Sequence, residues 1–115
     1  MIPVTVRLFA YTEPVDMRRG FDTLALLVRE KLSLDPRSGV LVLFTNKRRD
    51  RLKAFWWDHN GFCVLYKRIH GAVFEFPVPG SADEESVRID GQQLGAVLAG
   101  KEKVRGKRAK LRIVR

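Results

Sequence analysis

VLVLFTNKRRDRLKAFWWDHNGFCVLYKR, residues 40–68, decides how this chain folds. Its first six residues are an unbroken apolar and β-branched run ending in Thr45, the pattern of a strand covered on both faces at the centre of a sheet. Asn46-Lys47-Arg48-Arg49-Asp50 turns the chain, Leu52–Trp57 returns, and Phe62–Ile69 follows a second turn at Asp58-His59-Asn60-Gly61. Three strands in series joined by short polar turns predict an antiparallel meander.

The second turn fixes which side chains share a face. Asp58, Asn60 and Gly61 suit a type I turn with Gly61 left-handed and bulged, which we favour over a two-residue Asn-Gly turn, although the residues allow both. With the bulge, Trp56 lies opposite Val64, Ala54 opposite Tyr66 and Leu52 opposite Arg68. Aromatic and aliphatic residues on both faces predict that the hairpin is buried near its turn, with Phe55, Trp56, Val64 and Leu65 in the core.

Outward from this block, Val4–Ala10 alternates and reads as a strand. Phe21, Leu24, Ala25, Val28 and Leu32 give the spacing of an amphipathic helix over about 21–33, with Asp22 and Lys31 placed to suit the helix dipole and Pro36 to stop it. Met17 and Phe21 are expected to dock this helix on the sheet, and Gly20 to take a backbone conformation closed to other residues. Gly71–Pro77 predicts a further strand, and Val87-Arg88-Ile89 leads to Asp90, which with Gln93 forms a capping-box pattern for a short helix over about 91–99. The fold class that results is α+β: a single domain over residues 1–100, mainly an antiparallel meander of about five strands with two helices. Residues 101–115 form a basic tail, expected to be mobile.

At 115 residues the chain supports one core, and 45% hydrophobic with 30% charged residues is the balance of a soluble globular protein. No apolar run reaches the roughly 18 residues of a membrane-spanning helix, and the N-terminus lacks the order of a signal peptide, so the expected location is the cytoplasm. The lone Cys63 and the two histidines, His59 and His70, offer neither a disulfide nor a zinc ligand set, and no metal or other cofactor is implied.

Charge carries the functional signal. Of the formal +9, residues 101–115 contribute +7, from eight Lys or Arg and one Glu, leaving the body at +2. Such a tail, with Lys107, Arg108 and Lys110 at its centre, suits contact with a polyanion, because each cation near a phosphate releases condensed counterions. In the body, Lys47, Arg48, Arg49 and Arg51 lie in or beside the first turn, and the hairpin brings Lys53, Lys67 and Arg68 to the same end of the sheet. A phosphate backbone relieves that crowding. The plainer alternative is a solvated sheet end paired with Asp83, Glu84 and Glu85. Arg18 and Arg19 stand ahead of the first helix, where their charge opposes its dipole, which points to anion contact or to a salt bridge with Asp22 or Glu13. Trp57, Phe62 and Tyr66 are candidates for base stacking, a use ranked below burial.

No catalytic set emerges. Asp16, Asp22, Asp50 and Asp58 lie in turns or at a helix end, so periodicity places no two carboxylates together for a metal ion, and there is no phosphate-binding glycine loop. An enzyme is not expected.

Asp16-Met17-Arg18-Arg19-Gly20-Phe21-Asp22 and the later Arg51-Leu52-Lys53, Trp56-Trp57-Asp58, Gly61, Cys63 and Tyr66-Lys67-Arg68 together resemble the small TnpB-type accessory protein of the IS-sixty-six family of bacterial insertion sequences. That protein is distinct from the RNA-guided nuclease sharing the TnpB label. The resemblance spans roughly residues 4–99 and includes Asp16, Arg18, Arg19, Arg51, Lys53, Lys67 and Arg68; the basic tail lies beyond it. It implies a protein encoded beside a transposase and needed for, or helpful to, transposition, with the strand-cutting chemistry carried by the transposase and no catalytic residue transferred to this chain. The expected partners are DNA, at transposon ends and with low sequence specificity, and the transposase or other element-encoded proteins. The alternative is a protein–protein adaptor for the transposase, using Trp57, Phe62 or Tyr66.

Overall fold

The computed structural model describes residues 6–103. In chain order its elements are β1 (Arg7–Tyr11), α1 (Phe21–Lys31), β2 (Val40–Thr45), β3 (Arg51–Asp58), β4 (Gly61–Arg68), β5 (Ala72–Val73), β6 (Ser86–Ile89), α2 (Gly91–Ala99) and β7 (Lys101–Glu102). Five strands form one sheet in the order β4-β3-β2-β1-β6, and β5 and β7 pair as a separate ribbon. The α+β class and the antiparallel meander β2-β3-β4 are as the sequence reads. The addition is that β1 pairs parallel to β2, with α1 as the connection, while β6 pairs antiparallel on the far side of β1. A strand-helix-strand connection returns the chain to its starting end and so permits parallel pairing.

The continuous run Val40–Thr45 is buried along its whole length because β2 is the middle strand and both faces of the sheet are covered. On one face, Val40, Val42, Phe44, Phe55 and Tyr11 pack against Leu24 and Val28 of α1, two positions one helical turn apart. On the other, Leu8, Leu41, Leu43, Leu52, Ala54 and Trp56 pack against Phe74, Phe76 and Val97 of the C-terminal segment and α2. Each fully buried side chain of this size contributes about 1.5–3 kcal/mol.

The helices end differently from one another. α2 opens with the expected capping box: Gln93 N–H donates to Asp90 Oδ1 at 2.8 Å, and Asp90 N–H donates to Gln93 Oε1 at 2.9 Å. Gly100, at φ 79°, closes it, and a β-carbon there would collide with Ile69. α1 has no side-chain cap; Gly20 is its N-cap, extended at φ −96°, a conformation open to any residue, so the expected glycine-only geometry is absent. α1 also stops earlier than its periodicity implied, because Ser33 turns left-handed at φ 56° and Leu34 N–H returns to Val28 O, before Pro36 acts. Met17 packs toward the α1 face as expected, but Phe21 is exposed.

The hairpin register differs by one residue from the bulged reading. The left-handed residue is His59 (φ 56°), the loop closes over His59-Asn60, and Asp58 pairs directly with Gly61. Trp56 therefore faces Cys63, Phe55 faces Val64, Ala54 faces Leu65, Lys53 faces Tyr66, Leu52 faces Lys67 and Arg51 faces Arg68. A one-residue slip moves every β4 side chain to the opposite face. The observed register wins because it seats Phe62 against Phe55, ring centroids 4.9 Å apart, beneath the α1 layer. It also corrects one core assignment: Leu65 is exposed on the edge strand, whereas Phe55 and Trp56 are buried and Val64 half-buried. Beyond β4, only Ala72–Val73 of the stretch 71–77 joins a ladder, although Phe74 and Phe76 both reach the core.

Candidate nucleic-acid interface

The turn between β2 and β3 is held by one side chain. Asn46 Oδ1 accepts from the N–H groups of Asp50 and Arg51, each at 3.1 Å, and Asn46 Nδ2 donates to Asp50 Oδ1 at 2.7 Å. Arg49, left-handed at φ 62°, donates its N–H to Asn46 O, and its own carbonyl accepts from Phe74 N–H at 2.7 Å. A rigid loop thus presents Lys47, Arg48 and Arg49, all exposed. The Asn46 amide, followed by a backbone N–H and then the charges of Arg51 and Arg48, holds the Asp50 carboxyl below its ordinary range. Asp50 stays ionised at neutral pH and offsets part of the local positive charge.

Beside this turn, Arg51 and Arg68 lie directly opposite one another on the α1 face of the sheet, and Lys53 and Tyr66 form the next pair on that face. Like charges at opposed positions destabilise a sheet, by roughly 0.2–1 kcal/mol. Among the described residues, Lys47, Arg48, Arg49, Arg51 and Arg68 make no ion pair. The acidic stretch 83–85 does not neutralise them: the Glu84 carboxylate accepts from Gly80 N–H at 2.9 Å, and the carbonyls of Glu84 and Glu85 accept from Thr12.

The connection ahead of α1 forms the opposite wall. Arg18 does make a salt bridge, not with Glu13 or Asp22 but with Asp16: Nη2 lies 2.6 Å from Oδ2 and Nε lies 3.1 Å from both carboxylate oxygens. Arg18 N–H donates to Asp16 Oδ1 at 2.8 Å. These bonds, the side-chain pair first, lower the Asp16 pKa to about 2. Lys53 Nζ donates to Arg19 O at 2.8 Å and sits 5.0 Å from the centre of the Tyr66 ring, tying this connection to the sheet. Between the two walls runs an open groove of about 620 Å³, lined by Asp16, Met17, Arg18, Lys47, Arg48, Arg51 and Tyr66 among others.

The predicted residues separate by face. Arg18, Lys47, Arg48 and Arg51 line the groove, and Lys53 and Arg68 share its sheet face. Lys67 does not: it points to the α2 face, where its Nζ donates to Leu98 O at 2.7 Å and lies 6.0 Å from the Phe74 ring. Arg49 lines a separate cavity of about 200 Å³ with Pro14 and Pro77–Pro79, and Lys47 borders both. Arg19 contributes its carbonyl to Lys53 and keeps an exposed side chain. Lys107, Arg108 and Lys110 fall outside the described residues. Of the aromatics, Tyr66 lines the groove and is 51% exposed, while Trp57 and Phe62 pack edge to face and Trp57 also carries Arg37 at 4.4 Å. Asn46 carries the turn without standing out beforehand; its signal is an Asn opening a turn with an Asp four residues on.

Among the described residues no group of three or more His, Cys, Asp or Glu can hold a metal ion, and no helix is long and apolar enough to cross a membrane. Comparison with known proteins places the groove in context. The family model described as IS66 Orf2 like protein matches residues 6–108. An uncharacterized protein of Sinorhizobium fredii, y4hO, is 38% identical over 95 residues, covering 83% of this chain and 80% of its own. A second from the same organism, y4jC, is 32% identical over 103 residues, covering 90% and 86% respectively. No solved structure gives a significant match.

Proposed function

Since this chain belongs to the IS66 Orf2 like family, whose role is that of an accessory to transposition, we propose that it is a non-catalytic factor that holds DNA by its phosphates and helps assemble the transposase complex. The observation that supports this is the opposed Arg51–Arg68 pair beside Arg48 and Lys47, free of ion pairs among the described residues and bordering the groove. A sheet end with that composition is self-repelling when empty and relieved by a polyanion. Lys53 acts on the same face; Lys107, Arg108 and Lys110 add to the chain's positive charge. The contacts are to backbone, so sequence preference is weak. The site of action is wherever the element's DNA lies, the bacterial cytoplasm.

Fluorescence anisotropy with a labelled duplex, titrated over a range of salt, tests the reading. About four phosphate contacts predict a loss of roughly 100-fold in affinity between 50 and 200 mM salt. Arg48→Glu with Arg51→Glu and Arg68→Glu is expected to abolish binding without unfolding the chain. Deleting residues 104–115 separates the tail's share from that of the body. No binding at low salt by the full chain removes the proposal.

A second reading rests on a different feature. β4 is an edge strand eight residues long, with Leu65 42% exposed on it, a surface that suits an adaptor for the transposase. Under that reading charge reversal leaves transposase capture intact and Leu65→Lys ends it.

A further inference from the structure

We propose that the groove takes unpaired rather than duplex DNA, with Tyr66 as the platform on which an unstacked base lies; this deepens, and rests on, the phosphate-binding reading above. The first observation is the placement of the ring. Tyr66 lies on β4, the outermost strand, so among the described residues no strand stands on its far side. Lys53, its cross-strand neighbour, occupies the inner side, with the ammonium 5.0 Å from the ring centroid. The ring is thus engaged by Lys53 while the residue stays 51% exposed. An aromatic ring left half-bare on a charged edge does nothing for the core, since Phe55 and Phe62 already fill the space beneath α1.

The second observation is what surrounds the ring. Arg68 is two residues along the same strand and face, Arg51 is directly opposite Arg68, and Arg48 borders the same groove. An aromatic face within one strand repeat of several cations reproduces the two elements by which proteins hold single strands: bases stack on the ring while the backbone follows the positive charge. A duplex offers the phosphates but keeps its base faces stacked inside, so it engages only the cations. On the opposite wall Arg18 is already paired with the Asp16 carboxylate, so that wall presents a closed ion pair and attracts a phosphate less than the unpaired cations do. The backbone accordingly runs along the Arg48-Arg51-Arg68 side, and the base points toward Tyr66 and Met17.

Stacking on every base implies tolerance of sequence together with dependence on there being a base at all. The test uses the full chain and four labelled probes of equal length: a thymidine oligonucleotide, a mixed-sequence single strand, the corresponding duplex, and an abasic strand that keeps every phosphate. The wild-type chain is expected to hold both single strands more tightly than the duplex and the abasic strand. Tyr66→Ala is expected to lower single-strand affinity about 5- to 150-fold, the range for one lost stacking contact. The same substitution leaves the duplex and abasic probes unchanged, and Tyr66→Phe keeps wild-type behaviour. Equal binding of all four probes with a steep salt dependence, unaffected by Tyr66→Ala, overturns the base platform and leaves the phosphate reading standing. Absence of binding to every probe at low salt removes both. The abasic probe reads out on the unaltered chain, so the inference stays exposed to refutation even where the alanine variant folds poorly.

Discussion

Lys67 and its neighbour Arg68 are both cations, yet the structure sets them on opposite faces of the sheet, and replacing each is expected to separate stability from binding. Lys67→Met keeps the aliphatic stem and removes the donor to Leu98 O, which lies in the last turn of α2. A hydrogen bond from a charged donor contributes about 1.5–3 kcal/mol. A cation at a helix C-terminus adds about 0.3–1 kcal/mol, and partial solvent access brings the total down toward the lower figure. We expect a loss of about 1–2 kcal/mol. In a domain of this size that lowers Tm by about 4–8 °C for each kcal/mol. Arg68→Met is expected to do the reverse: relieving the repulsion with Arg51 leaves stability unchanged or higher by up to about 1 kcal/mol, while DNA affinity falls by several-fold. Urea denaturation and anisotropy on the same preparations supply both readings. Should Lys67→Met keep its Tm and lose affinity as Arg68→Met does, the division of the hairpin by face is wrong.

Gly100→Ala meets both a φ of 79° and a collision with Ile69, so it is expected to destabilise by at least about 1–2 kcal/mol; a neutral effect on thermal unfolding would mean that the α2–β7 junction is not as described. Asp90→Ala removes one half of the capping box and is expected to cost about 0.5–2 kcal/mol, with Asp90→Asn nearly silent by the same measurement. The Asp16 pKa is depressed to about 2, so the Asp16–Arg18 contact is complete above the ordinary carboxylate range and is lost as pH falls from about 4 toward 2. Carboxyl NMR should find that midpoint rising in Arg18→Gln while stopping short of the ordinary value, because the N–H of residue 18 still donates; an unmoved titration would show that Arg18 is not the cause.

Much of the fold is legible from single segments because each states its environment locally. Val40–Thr45 reads as a central strand since burial on both faces leaves no polar position, and Asp90 with Gln93 reads as a cap because both partners lie within one turn. Phe74 and Phe76 alternate as a strand does and both reach the core, but the segment finds a ladder only at Ala72–Val73, since the sheet's edges are elsewhere. The parallel pairing of β1 with β2 needs knowledge of where α1 lies, a property of packing and not of any one stretch. The end of α1 is likewise set by Ser33 turning left-handed, a conformation that the residue type does not advertise.

The candidate site was legible as a composition and not as a geometry, and one turn residue accounts for the gap. Asp58-His59-Asn60-Gly61 offers several residues able to turn left-handed, and local chemistry alone favours glycine. What decides is remote: Phe62 and Val64 belong with Phe55 under α1, and that demand puts the left-handed residue at His59. The same choice sends Lys67 beneath α2 and brings Tyr66 beside Lys53, Arg51 and Arg68. Had the bulged register formed, Lys67 and Lys53 would share a face, and Tyr66 would share the other with Trp56. The single-residue register therefore settles which cations meet an exposed ring, and a variant that shifted it would lose the groove while keeping every charge.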